Sequence, residues 1–130
     1  MVYVLGQGVL VVVPPTVSTR FTANARDAGI EVRDLADQCV LLTVGGPGSR
    51  DILSTIGLSA VMDGPSGTHQ MFGFEGRPVI TGHGTELGTS CANLVIDEGV
   101  VGQVWATMVG AGAQPAGTQA VEAMTADARK

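Results

Sequence analysis

The chain has 130 residues, 45% of them apolar and 15% charged, with seven Lys and Arg against 12 Asp and Glu for a net charge of −5. That is enough chain for one core that hides roughly two-thirds of the unfolded surface, and too little clustered positive charge for the counterion-driven attraction of nucleic acids. The longest apolar run, residues 9–13, falls far short of the roughly 20 residues of a membrane helix, so neither nucleic acid nor a membrane is expected as a partner.

Residues 2–5 and 9–13 are short β-rich runs around Gly6-Gln7-Gly8, which predicts a hairpin with a tight glycine turn. After Pro14-Pro15, Thr16 or Ser18 is placed to cap a helix. Phe21, Ala25 and Ala28 share one face of it, Arg20, Asn24 and Asp27 the other, and Gly29 ends it. Residues 30–35 alternate apolar and polar side chains as a half-buried strand does, and residues 39–44 read as a continuous apolar strand. Gly45-Gly46-Pro47-Gly48 leads into a predicted helix over 47–56, with the proline near its first turn and Ile52, Leu53 and Ile56 inward.

Gly64-Pro65-Ser66-Gly67 reads as a loop, and residues 68–74 and 77–81 as a hairpin turning at Glu75-Gly76. A strand over 93–96 precedes a helix over 97–110 whose Val100, Val101, Val104, Trp105, Met108 and Val109 recur at helical spacing. A last helix is predicted over 118–129. The order ββαβ then βαβββα, with mostly antiparallel pairing and helices on one face, predicts an α+β fold of ferredoxin-like pieces. With no linker to divide it, residues 1–130 are expected to form a single domain. No basic leader precedes an apolar core, so a soluble, cytoplasmic chain is expected.

The glycines before the second helix offer backbone N–H groups of the kind that hold phosphate. They lack a Gly-Lys-Ser/Thr ending and the GxGxxG spacing, so a plain strand-to-helix turn is expected. Cys39 and Cys91 have no metal-ligand spacing and are expected to be reduced and buried. His69 and His83 with Ser66, Ser90 and the carboxylates supply the residue types of a hydrolytic triad. Nothing frames them as a nucleophile elbow, so no triad is expected. Trp105 and the methionines read as core or interface. Specificity is best sought in residues 81–90, TGHGTELGTS, a glycine-rich loop bearing His83 and Glu86 between strands; a flexible hairpin is the competing reading.

Val2-Tyr3-Val4-Leu5-Gly6 with residues 10–13, then Asp34-Leu35, Leu41-Leu42, Gly46-Pro47 and Asp51-Ile52-Leu53, follow one pattern of scaffold positions. Leu94 to Gly117, with Trp105, Ala111-Gly112 and Pro115-Ala116-Gly117, continues it. The pattern resembles the central part of the glycine-cleavage aminomethyltransferase and tetrahydrofolate-dependent demethylase superfamily, and is similar to the γ-subunit of heteromeric sarcosine oxidases. The family's functional signature is RTGYTGELGFE, whose first Glu binds the pterin. Aligned by identity, Thr81, Gly82, Glu86, Leu87 and Gly88 match it and Glu86 inherits the ligand role, with His83 at the Tyr position; a gapless register anchored on Gly76 and Pro78 puts Thr89 at the Glu position instead. The first register is preferred because a carboxylate pairing with a pterin amine and ring N–H is hard to replace.

The resemblance implies tetrahydrofolate as cofactor, with Glu86 and His83 as cofactor-binding residues and no catalytic residue in this chain. Departures occur at Ile80 for the family's Arg, Ser90 for its second Glu, Pro14 for an Asn and Val121 for a helix Arg. The family's reaction-orienting aspartate falls upstream of Val2. The resemblance therefore implies an accessory subunit of a one-carbon transfer or demethylating enzyme, completed by a larger folate-family or flavin oxidase chain and not active alone. The alternative is a scaffold or binding protein that keeps the fold without folate.

Overall fold

Val79, Leu94 and Ile96 expose no surface at all, and the strands that carry them explain why. In the computed structural model, which describes residues 2–5, 8–13, 15–85, 90–117, 119, 120, 122 and 123, the chain is an α+β protein. By its internal contacts it divides into two compact units, residues 1–35 and 36–130.

The first unit is a hairpin and a helix. Strands β1 (Val2–Leu5) and β2 (Gly8–Val11) pair antiparallel with Leu5 opposite Gly8, as expected. Helix α1 runs Pro15–Asp27. It starts at the proline, so Thr16 and Ser18 lie inside its first turns and neither is the cap. Pro is at home there because its missing N–H is not needed in a first turn. At the other end Gly29 takes a positive φ of 82°, the Gly29 N–H bonds the Arg26 carbonyl and the Ile30 N–H reaches back to Ala25 O. This is the pair of bonds that closes a helix at a left-handed glycine. It also overturns the strand expected over 30–35. The Ile30 amide is spent on ending the helix, Ile30 is 58% exposed, and no regular structure follows up to Leu35.

In the second unit, β3 (Cys39–Gly45), β4 (His69–Phe74), β5 (Arg77–Gly84) and β6 (Cys91–Asp97) form one antiparallel sheet in the order β3-β6-β5-β4. Alternation assigns the faces. Leu42, Leu94 and Thr81 line up across three strands, as do Val40, Ile96, Val79 and Phe72. This face carries the core. Leu94, Ile96, Ala92 and Val79 join Leu53 and Ile56 near α2 (Ser49–Ser54), Val61 of a short 3-10 helix (Ser59–Asp63), and Val100, Val104 and Met108 of α3 (Glu98–Gly110). The opposite face presents Leu41, Val95, Ile80 and Met71 in one row. Its outer members, Leu41 and Met71, are exposed.

The second helix is shorter than its apolar spacing suggests. Gly46 has φ 107° and the Ser49 N–H bonds Gly46 O, so Pro47 sits in that turn rather than in the helix. After Ser54, Gly57 and Leu58 repeat the closure seen in α1, with the Leu58 N–H on Leu53 O at 3.0 Å. Both leucines are fully buried. An Arg50–Asp63 ion pair, with Arg50 also donating to Met62 O, ties α2 to the 3-10 helix. Helix α3 is capped by Asp97, whose carboxylate accepts the Gly99 N–H at 2.8 Å, and it closes with the Ala113 N–H on Met108 O. The last predicted helix is seen at residues 119, 120, 122 and 123; the rest of it lies outside the described residues.

Two predictions concern stability. The β4–β5 turn places Glu75 at φ 50° and Gly76 at φ 76°, the all-positive pattern of a type I′ turn that favours Asn-Gly. Replacing Glu75 by Asn should raise stability by about 1 kcal/mol, read as an upward shift of about 4 °C in thermal melting. Thr81 is fully buried with a hydroxyl that has no partner among the described residues, a group that costs about 1–3 kcal/mol when nothing satisfies it. Thr81→Val should therefore leave the urea midpoint unchanged or raise it, and a clear drop would show that the hydroxyl has a use.

Candidate functional site

Of residues 81–90, Thr81 to Gly84 are not loop. They continue strand β5, with Gly82 opposite Asn93 and His83 opposite Ala92. Two glycines weaken strand propensity and give this stretch the composition of a loop, whereas here neighbouring strands hold it. Glu86, Leu87, Gly88 and Thr89 lie outside the described residues, as do Pro14 and Val121. Ile80 faces Val95 on the open side of the sheet.

His83 is held at every polar atom. Its N–H donates to Thr68 O at 2.8 Å and its carbonyl accepts the Gly67 N–H at 2.7 Å. On the side chain, Nδ1 is 2.8 Å from Gly64 O and Nε2 is 2.5 Å from Ser90 Oγ. A carbonyl only accepts, so Nδ1 carries the ring hydrogen, and in the neutral ring Nε2 is the acceptor for the Ser90 hydroxyl. The ring is half-buried while Ser90 is exposed.

Two of the residues that hold His83, Gly64 and Gly67, come from Gly64-Pro65-Ser66-Gly67, expected only as a loop. Thr68 braces the loop from within, its hydroxyl donating to Pro65 O at 2.8 Å. A Cβ on Gly64 would come within 2.8 Å of Thr68 Oγ1, so the close turn requires glycine. His69, by contrast, pairs with Gly82 and thus projects from the opposite face to His83. The structure brings His83 and Ser90 together and leaves His69 out.

A second feature lies at the β3 edge of the sheet. A groove of about 570 Å³ is floored by residues 41–46 and walled by Pro47, Gly48, Ser49, Ile52, Trp105, Met108, Val109 and residues 112–116. None of its lining side chains is charged. Trp105 and Val109, expected within the apolar stripe of α3, turn toward this groove and stay 45% and 39% exposed, while Val100, Val104 and Met108 take the core side. The groove and the His83–Ser90 pair share one end of the sheet: Val44 pairs with Ala92 and Ala92 with His83, on one face.

Asn93, an amide in an apolar run with no motif to mark it, is 1% exposed and accepts the Thr43 hydroxyl through Oδ1 at 2.8 Å. Neither cysteine is in a disulfide; Cys91 is buried and Cys39 half-buried. Among the described residues no group of three or more His, Cys, Asp or Glu is arranged to hold a metal, and no helix is long and apolar enough to cross a membrane.

No protein-family model matches the chain. Over 93 residues it is 31% identical to a chloroplastic protein of Arabidopsis thaliana whose name designates it provisionally as a transferase. The match takes in 72% of this chain and 22% of that protein, so the chain spans about a fifth of the length of its relative. The relationship that sequence supports is to a transferase, at that level of generality.

Proposed function

We propose that the chain is an accessory module of a group-transfer enzyme, and more narrowly of one that moves a one-carbon unit on tetrahydrofolate. The observation that carries the reading is the sequence relationship to a transferase across most of this chain. The narrower reading is supported by the scaffold pattern from Val2 to Gly117 and by the TG…ELG sequence that begins within β5 and runs on past its end. In it Glu86 accepts hydrogen bonds from the pterin amine and ring N–H, and a larger folate-family or flavin oxidase chain supplies the remaining walls and the reaction-orienting carboxylate.

His83 has a restricted part in such a site. Both of its ring nitrogens are engaged within the chain, so it meets a cofactor through the ring or only by releasing Ser90. The uncharged groove with exposed Trp105 and Val109 gives the larger chain an apolar face to cover, which suits the fully desolvated centre of a subunit interface. The same engagement of His83 is what favours the second reading, a scaffold without folate, in which that position serves the fold.

The test is calorimetric titration of tetrahydrofolate into the chain together with its co-purified partner. Glu86→Ala should abolish binding, with the melting temperature recorded alongside to show that the fold is kept. Equal folate binding by both forms, or none by the unaltered complex, would reject Glu86 as the ligand and favour the scaffold.

A further inference from the structure

We propose that Ser90 and His83 are a nucleophile and its base, able to take an acyl group from an uncharged ester or thioester. This goes beyond folate binding and does not depend on it. The geometry is that of an activated hydroxyl: nucleophile and base within hydrogen-bond reach, and the base oriented by a third group. Here the third group is the Gly64 carbonyl, which fixes the hydrogen on Nδ1 and so leaves Nε2 as the acceptor facing Ser90 Oγ at 2.5 Å. Two main-chain bonds to Gly67 and Thr68 hold the imidazole's backbone, so its placement is paid in advance by the fold. Ser90 itself is exposed, open to a substrate from solvent.

The step balances with these two side chains alone. Ser90 Oγ attacks the acyl carbon and forms the new C–O bond as its proton passes to His83 Nε2. The carbonyl then re-forms, the bond to the leaving alcohol or thiol breaks, and that group takes the proton back from Nε2. The acyl group remains on Ser90 as an ester, ready for transfer to water or to a second acceptor by the reverse sequence. The nearby groove names the substrate class. It is uncharged throughout, and its Gly45 rim pairs with Cys91, the residue after Ser90, so in the chain with no larger subunit over it the groove favours an apolar acyl chain over a charged one.

The measurement is reaction of the intact folded chain with an alkyl fluorophosphonate, followed by mass-spectrometric mapping of the adduct. This probe reports activation of a serine by a neighbouring base without requiring the natural substrate. Labelling is expected at Ser90 in the folded chain, not in the urea-unfolded chain, and not at Ser66. Ser90→Ala should remove it, and His83→Gln should slow it about 100-fold, the usual scale of a lost general base, with melting recorded alongside. An unlabelled Ser90 in the folded chain would overturn the proposal and leave the hydrogen bond as a clip between strands. Equal labelling of folded and unfolded chain would overturn it as well. That comparison decides the matter even if the His83 variant does not fold.

Discussion

The structure of the larger unit depends on the burial of strand β6 between two neighbours. Ala92, Leu94 and Ile96 are fully hidden beneath the helices, and Cys91 and Asn93 are nearly as enclosed on the other side. Every long-range pairing of the sheet's centre passes through this strand: β3 on one flank, β5 on the other. Its partner β3 precedes it by about fifty positions, so the β4–β5 hairpin, closed by a two-residue turn, is the local piece and the β3–β6 ladder the distant one. Non-local pairing of this kind is slow because the loop entropy is lost before the contacts form. The helices then cover the one face that β6 and its neighbours make apolar.

Much of this was legible in the residues. The β4–β5 hairpin with its Glu75-Gly76 turn, the apolar strand from Cys39 and the stripe on α3 all carry periodicities that decide their structure. The misreadings share a cause. Residues 30–35 alternate like a strand, but a helix that ends on Gly29 takes the Ile30 amide, and no neighbouring strand competes for it. Thr81 to Gly84 look like loop by composition, yet Gly67 and Thr68 extend the ladder beyond β4 and keep them extended. In the first case a helix-closing bond five residues back, and in the second a bond from a distant loop, outweighs the pattern of side chains.

The candidate site was legible only in its parts. His83 and Ser90 stand seven residues apart, a spacing that says nothing until β5 turns back into β6 and brings them level. Gly64 is farther still, and its carbonyl is visible to no sequence motif because every residue has one. What the residues did mark was the resemblance around Glu86, a matter of identities rather than geometry. The folded chain adds that two of the positions where this sequence departs from that pattern, His83 and Ser90, are bonded to each other. A change at one is therefore a change in the environment of the other.

The register of β3 against β6 also governs how the thiols behave. Cys39 stands opposite Asp97 and Cys91 opposite Gly45, at the two ends of the same ladder, about 20 Å apart at the rise of a strand. A disulfide needs Cα atoms within about 7 Å. Air oxidation thus has no internal bridge to form. The half-buried Cys39 is the more reachable thiol, so a bridge made through it would join two chains rather than close within one.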